Sequence, residues 1–581
     1  MTVIVSDSIT QSRRTTSNRQ PATVRTSATN PLRIAEIPVP MSNGTIGITL
    51  CPGKAGPSAF GVPWARDIAT DFNVISAWRP SALVTLMEPA ELVAAGVDGA
   101  IGPAAAALGT DWYHLPIRDG ECPSLAFEQR WSWVGIRLRT LLRQGQRVLV
   151  HCRGGLGRAG TIAARLLAEL GVVQTEAIAL VRDRRPGAIE TEMQAAHVLG
   201  IGAIPIAEDL RRSRVAGSLL GGAIGDALGY RVEFDSLERI KSKFGNNGVT
   251  DPLTNGTAIV SDDTQMTLFS LEAILLAVPH HETAIVDAAQ TAYIDWYRTQ
   301  TEPSVLRTGQ PARLTDFPEL YACRAPGNTC MVALSKLLHG RRDAMKNNSK
   351  GCGTVMRSAP FGMFPQLFSP ADAYRLAAAC SRLTHGHPSA TAAAGATAHL
   401  VRNLMDCYSI EDALDAVLEH LAGVVGAKEV VGALHQARAS AALEKPLMGI
   451  DQHAAIIGGI GSDPARVGLS RGWVAEEALA VAVYACLVAP DFESAIRVAA
   501  NHHGDSDSTA AVCGNLWGAI HGVGTMCLLQ IFAVDVLRPI EWMLTHAFER
   551  YGAEASLASF ANSYGCTSRE ARDGVDRSFS D

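Results

Sequence analysis

The 581-residue sequence is short of charge, with 19% Asp, Glu, Lys and Arg, and short of aromatics, at 6%. It has no long basic block, and 51 Lys+Arg against 57 Asp+Glu leave a formal charge of −6. That balance excludes a protein that holds nucleic acid chiefly by neutralising phosphates. No apolar run approaches the roughly 20 residues that span a bilayer. The longest candidate, Ala478 to Pro490, reads as a buried helix, so no membrane partner is expected. The N-terminus lacks the charged start and apolar core of a secretory signal. The 12 cysteines include no C-x-x-C pair. Reduced thiols and a cytoplasmic location are the expectation.

Apolar residues make up 47% of the chain, enough for well-filled cores, and the length predicts two or three folded units. Residues 1 to about 40 are rich in Ser, Thr, Arg, Asn and Pro and read as a disordered tail. Structure is expected from Gly47-Ile-Thr-Leu50. From there to 206, buried strands at Ala82 to Leu86 and Arg147 to Val150 alternate with helices at Phe127 to Arg143 and Thr161 to Leu170. This pattern predicts an α/β domain with a mainly parallel central sheet. After a junction near 206 to 210 the texture turns Ala- and Leu-rich. Helices are expected at Leu268 to Ala277, Ala371 to Ala379, Ala390 to Leu404, Ile410 to Leu421, Glu476 to Leu487 and Ser494 to Ala500. Residues 211–560 therefore read as an all-α bundle, followed by a C-terminal tail over 561–581. No solenoid-like repeat is present.

The sharpest local signal is His151-Cys152-Arg153-Gly154-Gly155-Leu156-Gly157-Arg158, at the end of a buried strand and the start of a helix. Glycines let successive backbone N–H groups converge on an anion, and a helix N-terminus adds its dipole. Arg158 can fork onto two phosphate oxygens, and the same positive field suits a reactive sulfur at Cys152. This H-C-x5-R pattern, on a segment spanning roughly 44 to 205, resembles the Cys-based protein tyrosine and dual-specificity phosphatases. The resemblance implies Cys152 as nucleophile, Arg158 as transition-state clamp, and the backbone of Arg153, Gly154, Gly155, Leu156 and Gly157 as phosphate cradle, with no cofactor. It also implies Asp119, in Trp112-Tyr-His-Leu-Pro-Ile-Arg-Asp119-Gly, as general acid, and Gln194 as a weaker candidate for positioning water. Where that family carries Ser or Thr after the arginine, this chain has Ala159, with Thr161 two residues on.

Two acidic clusters lie far apart in the second region: Ser261-Asp262-Asp263-Thr264-Gln265-Met266 and Gly504-Asp505-Ser506-Asp507-Ser508-Thr509. Each could simply cap a helix. Brought together, four carboxylates would repel unless cations neutralised them, and oxygen donors without thiolates favour Mg²⁺ or Mn²⁺ over Zn²⁺. An EF-hand is excluded because Ala510 stands where its loop needs Gly. Gly217, Gly221, Gly225 and Gly229 recur every fourth residue, giving a smooth helix face for close backbone approach. Asn347-Asn348-Ser349-Lys350-Gly351-Cys352-Gly353 reads as a phosphate-suited loop, and Leu383-Thr-His385 places an imidazole at a turn.

Together, G-x3-G-D-x2-G-x3-E, S-D-D-T-Q-M, G-C-G-x2-M-R, L-T-H and G-D-S-D-S-T resemble the ADP-ribosylglycohydrolase family. Its members include ADP-ribosyl-arginine hydrolases and the dinitrogenase-reductase-activating glycohydrolase. The resemblance implies an all-α fold and two Mg²⁺ (or Mn²⁺) held by Ser261, Asp262, Asp263, Asp505, Asp507 and Ser508. Glu233 is implied as ligand or general base. Asn347 to Gly353 and His385 are implied to hold ADP-ribose, with Cys352 where relatives often have Asn. The expected protein is a bifunctional hydrolase acting on ADP-ribosylated protein, arginine linkage first, and on phosphoprotein. The alternatives are sequential processing of one phosphorylated ADP-ribose metabolite, or a phosphatase half that only binds phospho-ligands.

Overall fold

A computed structural model describes residues 24–551 except 41, 58–60, 305–308, 342–345, 444–448 and 462–470, so the expected C-terminal tail and most of the expected N-terminal one lie outside the described residues. Contacts divide the chain into two units. One is Met1–Ser124 with Thr140–Ala203; the other is Leu125–Arg139 with Ile204–Asp581.

The first unit is built on a five-stranded sheet of β1 (Ala35–Pro38), β2 (Thr45–Leu50), β3 (Ala82–Thr85), β4 (Asp111–His114) and β5 (Arg147–Cys152). Their spatial order is β1-β2-β5-β3-β4. β1 runs antiparallel to β2, while the other three pairings are parallel. The continuous apolar runs of β3 and β5 suit strands covered on both faces. β5 is central, with Val150 opposite Ile48 and His151 opposite Thr85. Its C-terminal end, the side where ligands sit in parallel sheets, delivers Cys152. Helices α1 (Ile68–Trp78), α2 (Leu125–Arg143), α3 (Gly157–Glu169), α4 (Gln174–Arg184) and α5 (Glu192–Leu199) follow the chain. Phe72, Ile75, Trp78, Leu83, Met87 and Leu149 form one core cluster.

Two expectations change here. Structure starts before Gly47: Arg25–Thr26 pairs with Trp64–Ala65, and β1 forms the sheet edge, where Pro38 sits in the kind of strand that tolerates it. Polar composition hid these short edge elements. Helix α2, predicted from its apolar period, does not cluster wholly with the phosphatase-like sequence around it. Within the second unit, Trp133 Nε1 donates to Glu541 at 2.8 Å, Arg139 forks onto Asp209 at 2.8 and 2.6 Å, and Arg137 donates to the Val523 carbonyl.

Among the described residues the second unit is mainly helical, with one two-residue antiparallel pair, Leu253–Thr254 with Thr257–Ala258, and a few isolated bridges. Its main helices include α6 (Ile206–Tyr230), α7 (Asp262–Leu276), α8 (Pro388–Met405), α9 (Ala475–Val488) and α10 (Ser506–His521). The expected junction at 206 to 210 falls inside the first turns of α6. Helix α7 begins six residues before the expected Leu268, whereas sequence periodicity placed α8 and α9 within two residues at each end. It missed Glu282–Thr301 and Lys428–Ala441, whose polar faces dilute the pattern. Ala478 to Ala485 are all buried in α9, as the apolar run predicted. No helix among the described residues is long and apolar enough to cross a membrane.

The four-residue glycine period of α6 has a direct cause. A Cβ at Gly221 would lie 2.5 Å from the Gly514 carbonyl oxygen, one at Gly225 2.1 Å from that of Ala510, and one at Gly229 2.1 Å from that of Ser506. The approach is reciprocal: a Cβ at Gly514 or Gly518 would lie 2.0 Å from the carbonyl oxygen of Gly221 or Gly217. Backbone thus packs on backbone along α6 and α10. Gly225→Ala is expected to cost about 2 kcal/mol or more through overpacking, although alanine is about 1 kcal/mol the better helix former. Gly432→Ala, at a half-buried helix position with nothing within 4 Å of the added methyl, is expected to be neutral or stabilising. Denaturant titration of the two variants measures the difference.

Candidate active sites

In the first unit the chain leaves β5 at Cys152, which is 3% exposed, and enters α3 at Gly157. The Arg153 carbonyl accepts from Lys54 Nζ at 2.9 Å, and Arg185 donates to the carbonyls of Gly155 and Gly154 at 2.9 and 3.0 Å. In a trans peptide the N–H points opposite its carbonyl, so these bonds turn the amides of Gly154, Gly155 and Leu156 the other way. Gly155 has φ +65, and a Cβ there would meet the Thr49 carbonyl oxygen at 2.4 Å, so glycine is required. Gly157 departs from its expected role: its amide donates to Glu190 Oε2 at 2.8 Å.

Arg158 is almost fully buried and held in a fork by Glu91, with Nη1 to Oε2 at 2.5 Å and Nη2 to Oε1 at 2.9 Å. Nη1 also donates to the Ile117 carbonyl, and Asp119 Oδ1 lies 2.9 Å from Nη2. The loop before Cys152 in sequence therefore brings its carboxylate to the arginine of the cysteine loop, with the Asp119 side chain 72% exposed. Burial alone would raise the Glu91 carboxyl, but Arg158 and the Glu88 amide offset it and hold it below the usual carboxylate range. Burial likewise works against the Arg158 charge, and Glu91, Cys152 and Asp119 reverse the effect. Glu91 was not legible as a functional residue. Its sequence signal is a helix-capping one, and it does cap: its Oε2 accepts the Glu88 amide at 2.9 Å.

His151 is buried, its Nε2 2.8 Å from Thr85 Oγ1, and burial pulls it to about 3, so it is a neutral ring. Gln194 departs from the expected water-positioning role. Its Oε1 accepts the Glu190 amide at 2.9 Å and its Nε2 donates to the Glu121 carbonyl, so both ends are engaged. Thr161 donates its hydroxyl to the Gly157 carbonyl at 2.9 Å. It is thereby committed within its helix, away from the role that Ala159 leaves unfilled.

In the second unit both acidic clusters start helices, and both capping and clustering hold at once. Ser261 caps α7, accepting the Asp263 amide at 3.2 Å; Asp505 caps α10, accepting the Ser508 amide at 3.4 Å. The glycine-lined approach of α6 to α10 places Glu233, just past α6, with Asp505 and Asp507, so that carboxylate oxygens of all three lie within 4.8 Å of one another. Asp226, on α6, accepts the Ser261 and Thr264 amides at 2.9 and 3.0 Å and the Thr264 hydroxyl at 2.5 Å, which ties α7 to the same place. Its role was missed in the sequence, where it is one letter of a glycine motif.

Asp226, Glu233, Asp262, Asp263, Asp505, Asp507 and Ser508 are all buried, and no Lys or Arg pairs with these carboxylates among the described residues. Glu233 Oε2 and Asp263 Oδ2 have no hydrogen-bond partner. Burial, then the Asp507 charge, pushes Asp226 up to about 7 and Glu233 up to about 10. The same causes raise Asp262, Asp263 and Asp505. Buried oxygen donors with orphaned atoms and no protein cation are a donor set that fits divalent metal.

The expected ADP-ribose segment borders this cluster, but several of its side chains serve the fold. Asn347 donates to the Thr384 carbonyl and accepts the Ser349 and Gly386 amides, joining the loop to the His385 turn. Lys350 is paired with Glu476 and Glu429 at 2.6 and 3.0 Å. Ser349 bonds Thr329, while Asn348 is exposed. Gly351 and Gly353 leave room for His385: a Cβ on either would lie 3.2 Å from its ring. His385 Nδ1 lies 2.8 Å from Thr384 Oγ1, and burial with Arg357 nearby pulls the ring to about 3. Cys352 departs from the loop: its Sγ donates to Asp505 Oδ2 at 2.7 Å. Beside Glu233, Phe234 is 71% exposed and stacked on Trp473.

Residues 207–530 match the ADP-ribosylglycohydrolase family, and residues 82–198 match the DSP-PTPase phosphatase domain of a Swiss Army Knife protein. Among curated proteins, the chain is 26% identical over 322 residues to ADP-ribosyl-[dinitrogen reductase] glycohydrolase of Rhodospirillum rubrum, covering 53% of this chain and 86% of that protein. It is 38% identical over 94 residues to protein tyrosine phosphatase PRL-1 of Leishmania major, covering 15% of this chain and 53% of that protein. A solved ADP-ribosylglycohydrolase-related protein complex aligns at 24% identity and TM-score 0.39, over 58% of this chain and 98% of that one. With a family match over more than half its length, the chain belongs to the ADP-ribosylglycohydrolase family and is a two-domain hydrolase whose other domain is phosphatase-like.

Proposed function

We propose that the second unit hydrolyses the glycosidic bond of ADP-ribosylated protein, arginine linkage first, at a centre for two divalent cations, Mg²⁺ or Mn²⁺. The observation that carries this is the buried Glu233, Asp505 and Asp507 cluster with the unpartnered Asp263 Oδ2 beside it. Ser261, Asp262, Asp263, Asp505, Asp507 and Ser508 would hold the cations, whose Lewis acidity polarises the ribose and the attacking water when bound. Glu233, which bound cations would keep ionised against the neighbouring carboxylates, takes the proton of that water as the glycosidic bond breaks. The loop from Asn347 to Gly353 offers backbone groups to the diphosphate, and neutral His385 closes its floor.

We further propose that the first unit is a phosphomonoesterase. Cys152 Sγ attacks phosphorus and forms an S–P bond while the ester P–O bond breaks, and Asp119 gives its proton to the leaving oxygen. Water then displaces the sulfur as inorganic phosphate forms. Arg158, oriented by Glu91, binds the equatorial oxygens. The committed Thr161 hydroxyl beside Ala159 favours a second reading, in which the second step is slow and this half chiefly binds phospho-ligands. Steady-state turnover of a phosphotyrosine peptide by the wild type, abolished in Cys152→Ser, supports the enzyme; tight binding without turnover supports the binding module.

Glu91→Gln removes the charge that orients Arg158, and kcat/KM for phosphomonoesters is expected to fall about 100-fold with little change in helix content by circular dichroism. Asp507→Ala is expected to abolish Mg²⁺-dependent release of ADP-ribose from ADP-ribosyl-arginine; full retention overturns the centre. The raised carboxyl values also set a stability profile. Their folded values exceed the unfolded ones, so their contribution is fully present below about pH 4 and is lost as pH rises through Asp226 near 7 and on toward Glu233 near 10. With chelator, Tm is therefore expected to fall from pH 5 to pH 8, and added Mg²⁺ or Mn²⁺ to raise it more at pH 8 than at pH 5.

A further inference from the structure

The acidic cluster holds one donor of a different chemical kind. Cys352 is the second residue of its Gly-Cys-Gly turn, and its amide is fixed by the Trp473 carbonyl at 3.1 Å. The side chain is thereby aimed at Asp505, with Sγ and Oδ2 2.7 Å apart. Asp263 and Ser508 also lie close enough to interact with the thiol. The thiol therefore sits directly on one residue of the proposed ligand set, Asp505, and close to two more. Independently of the cysteine, the Asp263 carboxylate beside it is 3% exposed and keeps Oδ2 without a partner.

We propose that Cys352 is a ligand of this centre through its sulfur, and that it turns one of the two positions toward Mn²⁺, Fe²⁺, Co²⁺ or Zn²⁺ rather than Mg²⁺. The inference rests on the dimetal reading above. A first-row ion bonded to both donors would sit about 2.3 Å from sulfur and about 2.1 Å from oxygen, which separates them by about 3.1 Å at an octahedral angle and about 3.6 Å at a tetrahedral one. The observed pair at 2.7 Å reaches the octahedral spacing by moving about 0.4 Å and the tetrahedral one by moving about 0.9 Å. The S–H bond breaks, its proton leaves to solvent, and the S–metal bond takes its place, so charge and atoms balance. Thiolate is a soft donor that Mg²⁺ binds poorly and the later first-row ions bind well. An amide oxygen at this position would leave an all-oxygen centre, and the Gly-Cys-Gly turn replaces it with sulfur.

The test loads the full-length, metal-stripped protein with Co²⁺ and measures both stoichiometry by elemental analysis and the near-ultraviolet thiolate-to-cobalt charge-transfer band. The wild type is expected to show bound Co²⁺ with the band. Cys352→Ser and Cys352→Asn are expected to bind Co²⁺ without it, and to weaken Zn²⁺ relative to Mg²⁺ in competition by about tenfold or more. Bound Co²⁺ that is lost in Asp507→Ala but gives no band in the wild type overturns the sulfur ligand and leaves the dimetal reading standing. A band that persists unchanged in Cys352→Ser overturns it as well, since another cysteine is then the source. Failure of the wild type to retain Co²⁺, Mn²⁺ or Mg²⁺ overturns both readings.

Discussion

Backbone-to-backbone contact between α6 and α10 is the constraint on which the second unit's chemistry depends. Carbonyl oxygens of Gly514, Ala510 and Ser506 occupy the space that side chains on Gly221, Gly225 and Gly229 would fill. The helices can therefore approach as far as their main chains allow, and dispersion contacts are made along the whole seam. The approach puts the end of α6 against the start of α10. Asp226 comes from α6 and Glu233 from just beyond its end, while Asp505 caps α10 and Asp507 lies in its first turn. A side chain at Gly221 or Gly225 would wedge the two helices apart, and the acidic groups with them.

The first unit solves a related problem with different means. A cluster of negative charge needs close packing and a counter-charge, whereas an anion site needs donors whose own carbonyls look away. Lys54 and Arg185 hold those carbonyls from outside, and Glu91 keeps Arg158 extended. The cost is a buried arginine, whose charge would lose its main counter-charge if Glu91 were absent. Glu91 meets that demand from a short helix whose N-terminal turn it also closes.

Much of this was readable in the sequence where one motif carried both geometry and chemistry. The strand, loop and helix around Cys152 are contiguous, so hydrophobic run, glycines and arginine announce one another. The spaced acidic motifs were readable because each sits at a helix start with a recognisable cap, and the glycine period named the surface that unites them. What stayed hidden was pairing across distance. Glu91 and Asp226 look like ordinary capping or motif letters until the partners at Arg158 and Thr264 are in place. Gln194, Thr161 and Lys350 carry suitable groups, yet each is used by the fold. Side-chain type in a sequence does not reveal who else competes for its hydrogen bonds.

Helix α2 has a bearing on how this protein came to be one chain. Its residues up to Arg139 are integral to the helical unit, although they are encoded between Asp119 and Cys152 of the phosphatase-like segment. Cutting the chain after Ala203 would leave the N-terminal piece with Trp133 and Val134 stripped of cover. The C-terminal piece would lose the indole and guanidinium that bind Glu541 and Asp209. The two catalytic halves are thus interleaved rather than strung together, and neither could be exchanged between proteins as a cassette without taking a piece of the other.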